Sequence, residues 1–259
     1  MQAADLGAAL PPPPLPPPAP AGKAVLTYFV GRGRAEQCRW ALAAAGVAWA
    51  DRGLETVAEM EKMRADGELA FDQVPMLAVP AGDHGALKRL TQTMAIIRYA
   101  ARKGGLIGGG RSDEAEARID ELVEGVASAR GGILGYPFSE SPEVGMEKIV
   151  AMREKYWRGL DNLAAAAAAN GDGAVGGGAL SLAEVLLAEL VQSNLEAAHG
   201  GDGEALLAPY PALRAAWVHV LALDRIKAYL AGPQRQPWPE GDVGRAYWRN
   251  VQVVLGRIK

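Results

Sequence analysis

The first apolar segment of the chain, Val25-Leu26-Thr27-Tyr28-Phe29-Val30, is a short β-branched and aromatic run of the kind that forms a buried strand. Gly31 and Gly33 follow and punctuate a loop that carries Arg32 and Arg34. From Ala35 the residues favour helix, and Gly46 is placed to close it. Val47–Ala50 is a second strand candidate. Val57, Met60 and Met63 then fall at helical spacing over Val57–Arg64. Asp72–Val79 predicts a strand entered through Val74-Pro75, where the missing amide donor and the extended preference of Val74 mark the entry. Ala81–Gly85 is a turn, Leu87–Leu90 a return strand, and Gln92-Thr93 open a helix that ends at Gly104-Gly105.

This order, βαβ followed by ββα, fits a thioredoxin-like unit over residues 23–105. From Asp113 the period changes to helix throughout. Ile119, Leu122, Val123 and Val126 share one face, and Met146–Leu163 carries a second long amphipathic pattern that Ala164–Ala169 extends and Asn170-Gly171 ends. Ser181-Leu182-Ala183-Glu184 is a capping box before an apolar run. Further helices pass through Leu206–Leu207, Leu213–Val220 and Ile226–Leu230. A Pro/Trp-rich crossing, Pro233–Pro239, precedes a last helix from about Val243 to Leu255. The expected architecture is an α/β N-terminal thioredoxin-like domain followed by an all-α C-terminal helical domain over residues 112–259.

Residues 1–22 stand apart. Pro11–Pro20 is nearly all proline, which suits extended polyproline or disorder and has neither the basic start of a signal peptide nor the arginines of a transit peptide. The formal net charge of −3 lacks the basic excess of a nucleic-acid binder. The single cysteine, Cys38, allows no intrachain disulfide and reads as a packed thiol on the first helix. His84, His199 and His219 have no ligand-like spacing, so no metal is expected. The glycines of Gly171–Gly178 follow a helix rather than a strand and lack a Gly-Lys-Ser/Thr ending, so they read as a connector and not as a phosphate loop. No apolar run is long enough to span a bilayer.

Three strings carry a family resemblance: Tyr28-Phe29 with Arg32-Gly33-Arg34-Ala35-Glu36; Arg64 with Phe71-Asp72-Gln73-Val74-Pro75-Met76; and Gln92-Thr93 with Ala95-Ile96. Together, in order and spacing, they resemble the cytosolic glutathione S-transferases of the tyrosine type, alpha-like first and sigma-like second. The helical half adds Ile119-Asp120, Glu124-Gly125 and the Ser181 capping box. The resemblance implies that Tyr28 and Arg34 are catalytic. It implies that Arg64, Gln73, Val74, Pro75, Gln92 and Thr93 join them in binding glutathione, with a cis Val-Pro bond. It further implies glutathione as co-substrate, a hydrophobic electrophile, a cytoplasmic homodimer, and no nucleic-acid or membrane partner. The electrophile would meet the loop after Tyr28, the helix near Asp120 and the last helix.

The interface positions implied are Phe71, Met94 and Glu124. Here the chain departs from its alpha-like relatives, which have arginine where Met94 stands, an acid where Ser128 stands and arginine where Lys155 stands. Two other readings stay open at this point: a sigma-like glutathione-dependent isomerase, and a non-catalytic binding or structural protein on the same fold.

Overall fold

The computed structural model describes residues 23–81, 86–107, 112–171, 178–198 and 203–259. The proline-rich extension, the tip of the 81–87 hairpin, most of the glycine connector, His84 and His199 lie outside the described residues. The N-terminal half runs β1 (Ala24–Phe29), α1 (Ala35–Ala45), β2 (Trp49–Leu54), α2 (Val57–Ala65), β3 (Met76–Ala81), β4 (Ala86–Thr91) and α3 (Thr93–Lys103). Its four strands lie in the order β2-β1-β3-β4, with β1 and β2 parallel and the other pairs antiparallel. This is the thioredoxin-like arrangement the element order predicts.

The second strand begins later than its apolar residues suggest. Gly46, at φ 66°, and Val47 are still occupied closing α1: the Val47 amide donates to Leu42 O at 3.0 Å. The strand forms only from Trp49, and it takes in Asp51-Arg52-Gly53 because β2 is an edge strand with half its surface open.

The helical half runs α4 (Asp113–Ala129), α5 (Gly131–Gly135), a 3₁₀ turn (Tyr136–Phe138), α6 (Pro142–Ala169), α7 (Leu182–Ala197), α8 (Gly203–Leu207), α9 (Pro211–Ala222), α10 (Asp224–Ala231) and α11 (Gly241–Val254). Helix α6 starts one turn ahead of its apolar pattern because Ser141 caps it and Pro142 suits its first position. Helix α7 begins at the expected box, with Ser181 and Glu184 bonding each other's backbone amides. Its residues are buried on nearly every face, and it packs against α1, α4 and α9. The buried Asp161 carboxylate accepts the amides of Ala212 at 2.8 Å and Leu213 at 3.0 Å, so an acid on α6 caps α9.

Helix α1 lies between the sheet and the helices α7 and α10, and all eleven of its residues are buried. Its charged residues must therefore be paired. Glu36 receives Trp40 Nε1 at 3.1 Å, the Tyr229 hydroxyl at 2.7 Å, and the guanidinium of Arg235. Arg39 bonds Asp51 at 3.0 Å. A second buried pair joins Arg130, at the end of α4, to Glu189 on α7, which also accepts from Ser193 at 3.0 Å.

Removing one partner of a buried ion pair strands the other. Arg130→Ala is therefore expected to lose ~3–5 kcal/mol of stability, and Arg130→Met with Glu189→Leu to recover much of that loss. Urea denaturation of the three proteins checks this; equal losses in the single and double variants would show that the charge pairing is not what the site needs.

Candidate active site

Strand register assembles one end of the sheet. Thr27 on β1 pairs with Met76 on β3, and Met76 pairs with Thr91 on β4. The next residues outward, Tyr28, Val74-Pro75 and Gln92, are therefore brought to the same end. The Val74–Pro75 peptide is cis, and both residues are buried. Gln73 just before it is exposed. Gln92 stands at φ 73°, a left-handed backbone uncommon for a residue with a side chain, and it forms the N-cap of α3 without a capping side-chain bond. Like α1, α9, α10 and α11, α3 begins without a side-chain cap, and Gln92 at its start is exposed, which leaves the amides of its first turn to another acceptor.

Tyr28 is buried, and its hydroxyl accepts the backbone amide of Arg34 at 3.1 Å. The two arginines of the turn separate completely. Arg32 is buried, paired with Glu196, bonded through Nε to Gln236 O at 2.6 Å and set 5.7 Å from the Trp238 ring. Arg34 is exposed, and its guanidinium has no hydrogen-bond or ion-pair partner among the described residues. The turn's own carbonyls are held from behind: Arg39 donates to Gly31 O at 3.0 Å and Arg130 to Gly33 O at 3.3 Å. Arg64, at the end of α2, is exposed and donates to Asp72 O at 3.4 Å, within the loop that leads to Gln73. The site end thus combines a backbone-held phenol, an unpaired guanidinium, an uncapped helix and a second exposed arginine. That set suits a small anionic ligand.

Of the interface positions, Phe71 is 61 % exposed, a large ring left open to solvent. Met94 is half-buried on α3. Glu124 is exposed and is met by Arg98, one turn beyond Met94, at 3.2 Å; the same guanidinium also reaches Asp120 at 3.2 Å. A cation therefore faces Glu124, supplied within the chain. The end of α4 near the site is Arg130, while Asp120 lies on its outer face.

Two groups at the site are not evident from local motifs. Arg130 sits in a plain helix-end string, Ser-Ala-Arg-Gly-Gly, and its role depends on Glu189 and Gly33, far away in sequence. Tyr247 shares the inward face of α11 with Gly244, Val251 and Val254; their 3-4-3 spacing could have marked it as buried but not as a neighbour of Tyr28. Cys38 is fully buried between the carbonyls of Arg34 and Thr93, at 3.9 Å from each, as a packed thiol would be. Among the described residues no group of three or more His, Cys, Asp or Glu side chains is arranged to hold a metal, and no helix is long and apolar enough to cross a membrane.

Known proteins resemble this chain in sequence and in fold. The family model for the glutathione S-transferase N-terminal domain matches residues 24–102, and that for the C-terminal domain matches 136–233. Glutathione S-transferase A3 of Mus musculus is 35 % identical over 224 residues, covering 85 % of this chain and 94 % of its own. Glutathione S-transferase A1 of Bos taurus is 35 % identical over 222 residues, covering 84 % and 92 %. Among solved structures, the monomeric glutathione S-transferase Na-GST-3 of Necator americanus is 25 % identical with a TM-score of 0.60, over 80 % of this chain and 96 % of its own. A maleylacetoacetate isomerase of Anaeromyxobacter dehalogenans, 23 % identical with a TM-score of 0.59 over 83 % and 97 %, shares the fold. The chain belongs to the glutathione S-transferase family, and it is a transferase that uses glutathione as its co-substrate.

Burial pushes the Cys38 thiol up to about 12, against the pull of Arg39 and Arg130. At pH 8 the thiol therefore stays protonated, and the thiolate is the reactive form. The native protein is expected to leave a chromogenic disulfide reagent unconsumed at that pH, and to consume one equivalent per chain once unfolded. Rapid titration of the native protein would contradict the buried placement.

Proposed function

We propose that the protein conjugates the glutathione thiolate to apolar electrophiles at the end of the sheet formed by Tyr28, Val74-Pro75 and Gln92. The observation that carries this is a Tyr28 hydroxyl held by the Arg34 amide at 3.1 Å, on a turn whose Arg34 guanidinium is exposed and has no partner among the described residues. A free thiol titrates near ~8.5, so the reaction at neutral pH needs a group that favours the charged form. Tyr28 donates its hydroxyl hydrogen to the sulfur, and Arg34 adds a positive field. The thiol proton leaves to solvent; the thiolate then forms the carbon–sulfur bond as the electrophile expels its leaving group, the halide of an aryl halide, into solvent.

The γ-glutamyl carboxylate is received by the open end of α3 at Gln92-Thr93, the cysteinyl backbone by Val74 beside Pro75, and the glycyl end by Arg64 and Gln73. The uncapped start of α3 and its positive φ support the first assignment; the exposure of Arg64 and Gln73 supports the last. An apolar acceptor is supported by Phe138, whose ring is 43 % exposed and lies 5.9 Å from that of Tyr247 on the last helix. The transferase relatives favour conjugation over the isomerase and non-catalytic alternatives.

We further infer a cytoplasmic homodimer in which Phe71 inserts into the partner. Its 61 % exposure supports this, since a ring left in water on one chain is suited to fill a pocket on another. Because Arg98 already meets Glu124 within the chain, Met94→Arg is expected to leave the dimer nearly unchanged.

Tyr28→Phe is expected to keep the fold and glutathione binding but to raise the pKa of the bound thiol and cut the rate at neutral pH by about 10²-fold or more. Thiolate absorbance against pH reads the first, and conjugation of an aryl halide the second; an unchanged thiol titration would remove Tyr28 from the mechanism. Phe71→Ala is expected to shift sedimentation toward monomer at micromolar concentration, with a loss of ~2 kcal/mol or more at the interface. A wild-type chain that sediments as a monomer at every concentration would contradict the dimer.

A further inference from the structure

The last helix brings a second phenol onto the turn. Tyr247 is buried, and its ring occupies the space that a side chain on Gly31 would need: a methyl there would lie 2.3 Å from Cδ2. A methyl on Gly33, which stands at φ 39°, would lie 2.3 Å from the Tyr247 hydroxyl and 2.5 Å from that of Tyr28. The two hydroxyls therefore flank one point above Gly33. Helix α11 is pinned at this place. The Val30 amide donates to Asn250 Oδ1 at 2.9 Å, Asn250 Nδ2 donates to Leu54 O at 2.7 Å, and the Phe138 ring meets Tyr247 edge-on.

Counting protons decides which of two hydroxyls so placed can serve the other. The Tyr28 oxygen has one hydrogen and two lone pairs, and the Arg34 amide takes one lone pair. If the Tyr28 hydrogen is to serve the thiol, only a donor can use the lone pair that remains. Tyr247 keeps its proton: burial, then the neighbouring Tyr28, push its pKa far above the ordinary phenol value, outweighing Arg39 on α1 and Arg34 at the turn.

We propose that Tyr247 donates its hydroxyl hydrogen to the Tyr28 oxygen, so that Tyr28 accepts two hydrogen bonds and turns its own hydrogen to the sulfur. Tyr247 is then a positioning residue, and docking of the last helix is coupled to ionisation of the thiol. A phenol that accepts two hydrogen bonds is a stronger donor than one that accepts a single bond. This rests on the reading of Tyr28 as the thiol's donor.

The test is the pKa of bound glutathione, from thiolate absorbance, in the wild type, Tyr247→Phe, Tyr28→Phe and the double variant, with glutathione affinity and melting temperature measured on each. Tyr247→Phe keeps the ring and is expected to hold both affinity and melting temperature. It should raise the thiol pKa by about half a unit or more, a shift that loss of packing alone does not produce. In the Tyr28→Phe background the same change should add nothing. If Tyr28→Phe raises the pKa and Tyr247→Phe leaves it unmoved, the relay is overturned and the donor reading stands. If Tyr28→Phe leaves it unmoved, the donor reading itself fails. A fall in pKa with Tyr247→Phe would mean that Tyr247 competes with the sulfur for the Tyr28 hydrogen, and would overturn the relay. So would an equal rise in both backgrounds, which would mean that Tyr247 acts on the sulfur directly.

Discussion

The Glu36 carboxylate sits in the first turn of α1 with no exposure to solvent, and four side chains meet it. Arg235 and Tyr229 reach it from the end of the helical half, and Arg39 and Trp40 from its own helix. Arg235 also clasps Glu196 on α7 at 2.8 and 3.0 Å, and Glu196 in turn holds Arg32 of the turn after β1. One alternating chain of charges, Glu36–Arg235–Glu196–Arg32, thereby ties the α/β half to the helical half. Burial and the neighbouring Arg32 push Arg235 below the usual arginine range, and the two carboxylates that hold it oppose this. Such a cluster adds little net stability over an apolar contact, but it tolerates no missing member, so it specifies how the halves sit.

The turn inherits its shape from that constraint. Arg32 is anchored among Glu196, Gln236 and Trp238, Arg39 holds the carbonyl of Gly31, and Arg130 holds that of Gly33. With three arginines fixing the loop from behind, the Arg34 amide is left pointing at the Tyr28 hydroxyl and the Arg34 guanidinium is left in solvent. Gly31 and Gly33 keep the outer side of the loop thin enough for the Tyr247 ring to lie on it. Packing, charge pairing and candidate chemistry thus meet in the few residues between Tyr28 and Glu36.

Local signals in the sequence were sufficient for much of this. The strand–turn–helix around Tyr28, the Ser181 box and the Gln92-Thr93 helix start are all short-range patterns, and each is found where it was expected. Strand β2 was displaced because the apolar residues after Gly46 serve to close a helix. The different fates of Arg32 and Arg34 could not be read from the turn itself. They depend on Glu196 and Gln236, more than 160 positions away. The same holds for Arg130, whose partner is 59 residues distant, and for the in-chain cation Arg98 that faces Glu124. Residues acting through long-range pairs carry no local mark; those acting through caps, turns and register do.

The most direct test is a crystal structure of the complex with glutathione. The sulfur is expected within hydrogen-bond distance of the Tyr28 hydroxyl, with the Arg34 guanidinium nearer to it than Arg32, and the γ-glutamyl carboxylate at the start of α3. A sulfur placed away from Tyr28, or a tripeptide that leaves Gln92-Thr93 and Val74 without contact, would contradict the account.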